Sequence, residues 1–254
     1  MFVVGIDGGG TKTRVAVCAS DGTLLHRETL GAFNLSAIGE DGFRRRVGEI
    51  LTLCGDHEIA LAGAMQTPGC VLIAGTGSIC YGKNAAGENF RCGGGGHIID
   101  DPGSGYALGR DALAAALQTE DGRLSENALH GEVMDTVGGS GIQGIFDFVY
   151  FSRRGKGDIA ALAPLVLRCA AQGDAVSLDI LRRGAAELAR LVSAVMGKLG
   201  LENASPCALA GGLLAEDNVY RRAVCAALAP FCRPAAPEHD ALFGAVQLAL
   251  AAIQ

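Results

Sequence analysis

The 254-residue chain has no apolar run approaching the ~18 residues that suggest a membrane span. Its apolar N-terminal run lacks a basic start and is broken at Asp7, so no secretory signal is read and a soluble, cytoplasmic protein without a membrane partner is expected. It has no C-x-x-C pair: nine cysteines stand apart at positions 18, 54, 70, 80, 92, 169, 207, 225 and 232. Metal clusters and disulfide frameworks use closer, patterned spacing, so reduced and mostly buried thiols are expected. It has no long basic block. Arg44-Arg45-Arg46 reads as a solvated helix face, and the net charge of −6 argues against a nucleic-acid partner. No low-complexity segment interrupts a composition that is 49% hydrophobic and 19% charged, enough for one large or two small globular domains.

Glycine is abundant instead: 38 residues, about twice the usual frequency of roughly 7%. The first cluster lies in Val3-Val4-Gly5-Ile6-Asp7-Gly8-Gly9-Gly10-Thr11-Lys12-Thr13, followed by Arg14-Val15-Ala16-Val17-Cys18. An apolar run, a glycine turn and a second β-branched run predict a hairpin whose turn sets backbone N–H groups beside one carboxylate. Such a loop can wrap terminal phosphates while the aspartate holds the accompanying Mg²⁺, directly or through water. A plain hairpin turn is the alternative. Two better-known glycine motifs fail on spacing. Thr11 separates Gly10 from Lys12, so the P-loop Gly-Lys-Ser/Thr is missing, and the third glycine of a dinucleotide fingerprint is out of place.

Asp21-Gly22 signals a turn that completes a three-stranded antiparallel meander, and a helix is predicted over about 36–53. Asp56 reads as the start of a further helix. The opening theme then returns, with a strand over 70–74, the loop Gly75-Thr76-Gly77-Ser78, a strand over 79–82, a turn at Ala86-Gly87 and a strand over 89–92. The repetition predicts two related half-domains, each offering one loop to the same phosphate chain. The run Gly93-Gly94-Gly95-Gly96-His97-Ile98-Ile99-Asp100-Asp101-Pro102-Gly103-Ser104-Gly105 can accept hydrogen bonds from sugar hydroxyls or hold metal-bound water, or be an ordinary surface turn. His97 can be structural or functional. Helices are predicted over about 108–119, 142–152, 158–171, 174–199 and 240–253. A buried strand over 207–210 ends in Gly211-Gly212, where an adenine ring can lie on backbone or the chain can simply turn into a helix.

In combination, these motifs resemble the sugar-kinase branch of the BadF/BadG/BcrA/BcrD-type ATPase family, which has the actin-like fold shared with hexokinases and Hsp70. The resemblance implies an α/β protein of the actin-like ATPase (ribonuclease H-like) fold: two related lobes with a nucleotide cleft between them. Residues 1–68, completed by the helix at 240–254, would form the first lobe and 69–239 the second. It also implies ATP and Mg²⁺ as cofactors and phosphoryl transfer to the 6-hydroxyl of an amino sugar, N-acetylglucosamine or glucosamine. By position, Asp7 corresponds to the Mg²⁺-organising carboxylate. Gly9, Gly10, Thr11 and Lys12 correspond to the first phosphate loop, Gly75, Thr76, Gly77 and Ser78 to the second, and Gly211 and Gly212 to the adenosine site. Asp56 corresponds to the general base, and Asn34, His97 and Asp101 to positions near the sugar. A homodimer is expected on the same ground.

The sequence departs from that pattern between the predicted helix at 36–53 and Asp56, where relatives carry a further strand, helix and strand; a shortened first lobe is expected. Gly95 stands where relatives often have tryptophan, and Pro102 where they carry an acidic or amide side chain. Two other readings are a nucleotide-binding member without efficient transfer and an activator ATPase of a dehydratase or reductase.

Overall fold

The computed structural model describes residues 2–8, 12–19, 22–30, 55–138, 141–151 and 154–251. The predicted helix at 36–53 lies outside them.

Strands β1 (Phe2–Gly8), β2 (Thr13–Ala19) and β3 (Leu24–Leu30) form the predicted antiparallel meander, in the order β1-β2-β3. β1 and β2 pair from Phe2 opposite Ala19 to Gly8 opposite Thr13. Helix α1 (Asp56–Ala64) follows, its first turn closed by the Glu58 carboxylate accepting the Gly55 N–H at 2.7 Å.

The second meander is β4 (Gly69–Ala74), β5 (Ser78–Lys83) and β6 (Asn89–Gly93). Its β5–β6 turn is tied by the Asn84 side chain, which accepts from Ala86 and Glu88 N–H. A helical layer comes next: α2 (Gly105–Glu120), α3 (Ala128–Val137), α4 (Gly141–Phe146) running into a π-helical turn at Asp147–Phe151, α5 (Lys156–Ala160), α6 (Ala163–Ala171) and α7 (Ala175–Leu199). The chain then returns through β7 (Pro206–Ala210), α8 (Val219–Leu228) and β8 (Arg233–Ala235), and ends on α9 (Ala241–Ala251).

Three details differ from the sequence reading. The segment expected as one helix at 158–171 is two, with a break before Pro164, which sits in the first turn of α6 where its missing N–H costs nothing. The helix expected at 142–152 is a short α-helix followed by a π turn. Helix α3 carries only Leu129 and Val133 as buried residues, a weak periodic signal, yet it is well bounded by the Asn127 side chain accepting the His130 N–H and by Gly138 at φ 73°.

The larger sheet has the order β6-β5-β4-β7-β8, with β7 parallel to β4 and β5 antiparallel to it. β4 is buried on both faces. Cys70, Leu72 and Ala74 point into the main core with α2, α6, α7 and α8, while Val71 packs with Tyr81 and Ala208 under Ala60, Leu61, Ala64 and Met65 around α1. The smaller sheet is covered by α9, whose Leu242 and Val246 meet Ala16 and Cys18 of β2. α9 also crosses α1 at contact distance. A Cβ at Gly244 would overlap the Ile59 carbonyl, so only glycine lets these two backbones meet.

Among the described residues all eight cysteines are free, and no group of three or more metal-ligating side chains comes together. No single described helix is long and apolar enough to cross a membrane.

Candidate active site

Loop 75–78 leaves the C-terminal end of β4. Gly75 N–H donates to the Gly77 carbonyl (2.9 Å), which folds the loop into a tight turn. Among the described residues the N–H groups of Thr76 and Gly77 donate to nothing, and the Thr76 side chain is exposed. A tight turn with two unclaimed amide protons beyond the C-terminal end of a strand has the donor pattern that can take an anion. Ser78 plays a different part from the one its position in the motif suggests. It is 2% exposed, its hydroxyl donates to the Pro102 carbonyl (2.7 Å) and its N–H to the Asp101 carboxylate (3.2 Å). Its polar groups are used inside the protein, where they join the loop to residues 101–105.

Asp101 is 4% exposed and has a φ of 59°, left-handed backbone that a non-glycine residue seldom adopts. A Cβ at Gly77 would come within 2.9 Å of the Asp101 carboxylate, so the glycine is what lets that carboxylate lie against the loop. Two further bonds run between the same segments: Gly105 N–H to the Gly75 carbonyl (2.7 Å) and Tyr106 N–H to the Thr76 carbonyl (3.3 Å). Neighbouring Asp100 instead folds back on the glycine run and accepts the Gly95 N–H at 2.7 Å. His97 packs edge-on against Tyr106, with ring centroids 4.7 Å apart. Pro102 contributes its backbone carbonyl.

Gly211 and Gly212 follow β7, the parallel neighbour of β4, so the two loops emerge side by side. Gly211 has a φ of 88°, and a Cβ there would overlap the Ala74 carbonyl; at Gly212 the space is open. Leu213 N–H donates to that same Ala74 carbonyl (3.1 Å), fixing this turn to the start of loop 75–78.

On the smaller sheet, Asp7 faces Arg14 directly across the β1–β2 pair, and the guanidinium donates to the Asp7 carboxylate through Nε (3.0 Å) and Nη2. Arg14 also approaches Asp240 (3.6 Å), which accepts from Arg27 as well. Burial pushes the Asp240 carboxyl up, but the Phe243 N–H and the Arg27 and Arg14 guanidinium groups together hold it below the ordinary range. Lys12 is exposed. Gly9, Gly10, Thr11 and Asn34 lie outside the described residues.

Asp56 stands at the first position of α1 with its side chain 77% exposed, accepting the His57 N–H at 2.8 Å and lying 3.3 Å from His57 Nδ1. The His57 ring in turn packs edge-on against Tyr81 of β5 at 4.8 Å between centroids. The carboxylate is therefore solvent-facing, at a helix N-terminus, and steered by a histidine anchored on the larger sheet. His57, Arg14 and Asp240 were not among the candidate residues. Arg14 could have been found by counting outward from the hairpin turn; Asp240, at the far end of the chain, could not.

The donor set fits a cation that arrives with a nucleotide. Among the described residues no three ligating side chains converge. Asp7 offers one carboxylate, which suits Mg²⁺ completing its shell with water and phosphate oxygens rather than a protein cage.

The chain resembles known proteins over most of its length. A model of the BadF/BadG/BcrA/BcrD ATPase family matches residues 51–249. The chain is 31% identical to an N-acetylmuramic acid/N-acetylglucosamine kinase of Clostridium acetobutylicum, over 85% of this chain and 87% of that one. It is 28% identical to an N-acetyl-D-glucosamine kinase of Dictyostelium discoideum, over 87% and 86%. Its fold superimposes with a TM-score of 0.79 on a solved structure from Chromobacterium violaceum assigned as an N-acetylglucosamine kinase, at 27% identity and 98% coverage of both chains.

Proposed function

Because the chain belongs to the BadF/BadG/BcrA/BcrD ATPase family, we propose that it is an ATP-dependent kinase acting on an amino sugar, N-acetylglucosamine or glucosamine, at the 6-hydroxyl. The observation that carries this reading is the pairing of loop 75–78, with its unclaimed Thr76 and Gly77 amides, and the Gly211-Gly212 turn on adjacent parallel strands. The names of the relatives supply the substrate class.

Phosphoryl transfer needs positioning and charge neutralisation more than covalent help from the protein. Loop 75–78 would hold phosphate oxygens through its amides, and Gly212 would leave flat backbone for the adenine. Asp7, released from Arg14, would hold the Mg²⁺ that neutralises charge on the phosphates. Asp101, fixed against Ser78, would stand between the phosphate loop and the sugar. Asp56 would accept the proton of the attacking hydroxyl, with His57 keeping its carboxylate aimed. The reading includes a first lobe of residues 1–68 completed by α9, as the contacts of Leu242 and Val246 with β2 support, and a homodimer.

A coupled ADP-release assay across N-acetylglucosamine, glucosamine, N-acetylmuramic acid and glucose tests it. ADP release that depends on an amino sugar is expected, and no release with any of the four overturns the reading. In the same assay Asp56→Asn should lose about 10²–10⁴-fold in turnover while ADP binding by calorimetry stays as in the parent.

A further inference from the structure

We propose that Tyr220 is a positioning residue for the transfer site: its buried hydroxyl pins Gly103, and through the 101–106 segment it sets the geometry of loop 75–78. The rate part of this proposal rests on the kinase reading above; its mechanical part rests on geometry alone.

Helix α8 opens with Asn218, whose side chain accepts the N–H groups of Tyr220 (2.8 Å) and Arg221 (2.9 Å), so Tyr220 is fixed in the first turn. It is among the largest fully buried side chains of the protein. Its hydroxyl donates to the Gly103 carbonyl at 2.6 Å, across 117 residues of sequence. Space for that oxygen is made by two glycines on different elements. A Cβ at Gly184, in α7, would lie 2.8 Å from it, and one at Gly103, where φ is +67°, would lie 2.9 Å away. Three segments thus meet on one hydroxyl. Burial pushes the Tyr220 pKa well above its ordinary value, so the hydroxyl remains a protonated donor at any working pH.

A site that needed only apolar filling would be served by phenylalanine, so the position of the acceptor is what matters. Gly103 lies two residues after Asp101 and one before Ser104, whose Oγ caps α2. The bonds from Ser78 to Asp101 and Pro102, and from Gly105 and Tyr106 to Gly75 and Thr76, make residues 101–106 and 75–78 a single body. Tyr220 ties that body to α8, and the turn leading into α8 is itself fixed to Ala74 through Leu213 N–H. Both nucleotide-facing turns are therefore referenced to one helix start. Removing the hydroxyl strands a buried carbonyl and frees the 101–106 segment to shift, and displacements of about 1 Å near a transferring group can cost up to about 10²-fold in rate.

Tyr220→Phe tests this with the ring packing retained. The expected result is a kcat about tenfold lower or worse, a sugar KM unchanged within about twofold, and ADP still bound at full stoichiometry by calorimetry, so that a smaller folded fraction does not explain the loss. Amide exchange in peptides covering 75–78 and 101–106 should quicken about tenfold or more, and that of β1–β3 should not. Gly184→Ala, which crowds the hydroxyl from the other side, should move rate and exchange in the same direction, and it decides the matter if the phenylalanine variant does not bind ADP. Wild-type kcat together with a lower Tm in Tyr220→Phe, or unchanged exchange in both segments, overturns the proposal. A parent protein that transfers phosphate to no sugar sinks the kinase reading alone, and the exchange experiment then still decides the pin.

Discussion

Gly211 and Gly212 sit side by side and answer to different constraints. Gly211 has φ 88° and its missing Cβ would overlap the Ala74 carbonyl, so its smallness is demanded by the fold. Gly212 has nothing within reach of a Cβ, so the fold alone would accept alanine there. Gly211→Ala is expected to destabilise by about 1–3 kcal/mol in a urea titration. Gly212→Ala should leave stability within about 0.5 kcal/mol and yet weaken ADP binding several-fold by calorimetry. Equal ADP affinity in Gly212→Ala would place the adenine elsewhere. Ser78 shows the limit of residue-level reading: a serine after Gly-Thr-Gly is written identically whether its hydroxyl meets a phosphate or the Pro102 carbonyl, and only the fold puts that carbonyl 2.7 Å away.

Between elements, the ion ladder Asp7–Arg14–Asp240–Arg27 joins β1, β2, β3 and the entry to α9. The Asp240 carboxyl is held below its ordinary value of 3.8 in the folded chain. Its contribution to stability is therefore fully present above about 3.8 and is lost as pH falls through the lower folded value. Asp240→Asn should accordingly be less stable than the parent at pH 7, and the gap should narrow in urea titrations carried below about pH 4. A gap that widens on acidification would contradict this assignment. Both three-stranded meanders were legible because their turns carry Gly22 and Gly87 between alternating runs, and β4 and α7 because their apolar residues keep a clear pattern. The parallel insertion of β7 beside β4 was not, since nothing local in Pro206–Ala210 names Cys70 as the partner of Cys207. Helix α3 stayed hidden because Gly131 and its few buried positions blur the period. The Tyr220–Gly103 bond was invisible for a related reason: it spans 117 residues between two segments that carry no shared motif.

At the scale of the molecule, the β1–β3 sheet and α1 share a cover that is written last. Ala16 and Cys18 are closed by Leu242 and Val246, and α1 is crossed at Gly63 and Gly244 by the helix that follows Asp240. A chain ending at residue 240 is expected to unfold without a sharp transition and to bind a hydrophobic dye at neutral pH, where the parent does not. A truncated chain with a parent-like, cooperative melt would show that α9 is dispensable. The same closure has a temporal side. During synthesis the first hairpin leaves the ribosome more than two hundred residues before the helix that shields it, at rates of about 5–20 residues per second. For that interval of roughly ten seconds or more, Ala16 and Cys18 lack the cover that Leu242 and Val246 later supply. The candidate Mg²⁺ carboxylate, Asp7, belongs to that sheet, so the place proposed for the cation is backed by the packed fold only once Leu242 and Val246 have met β2.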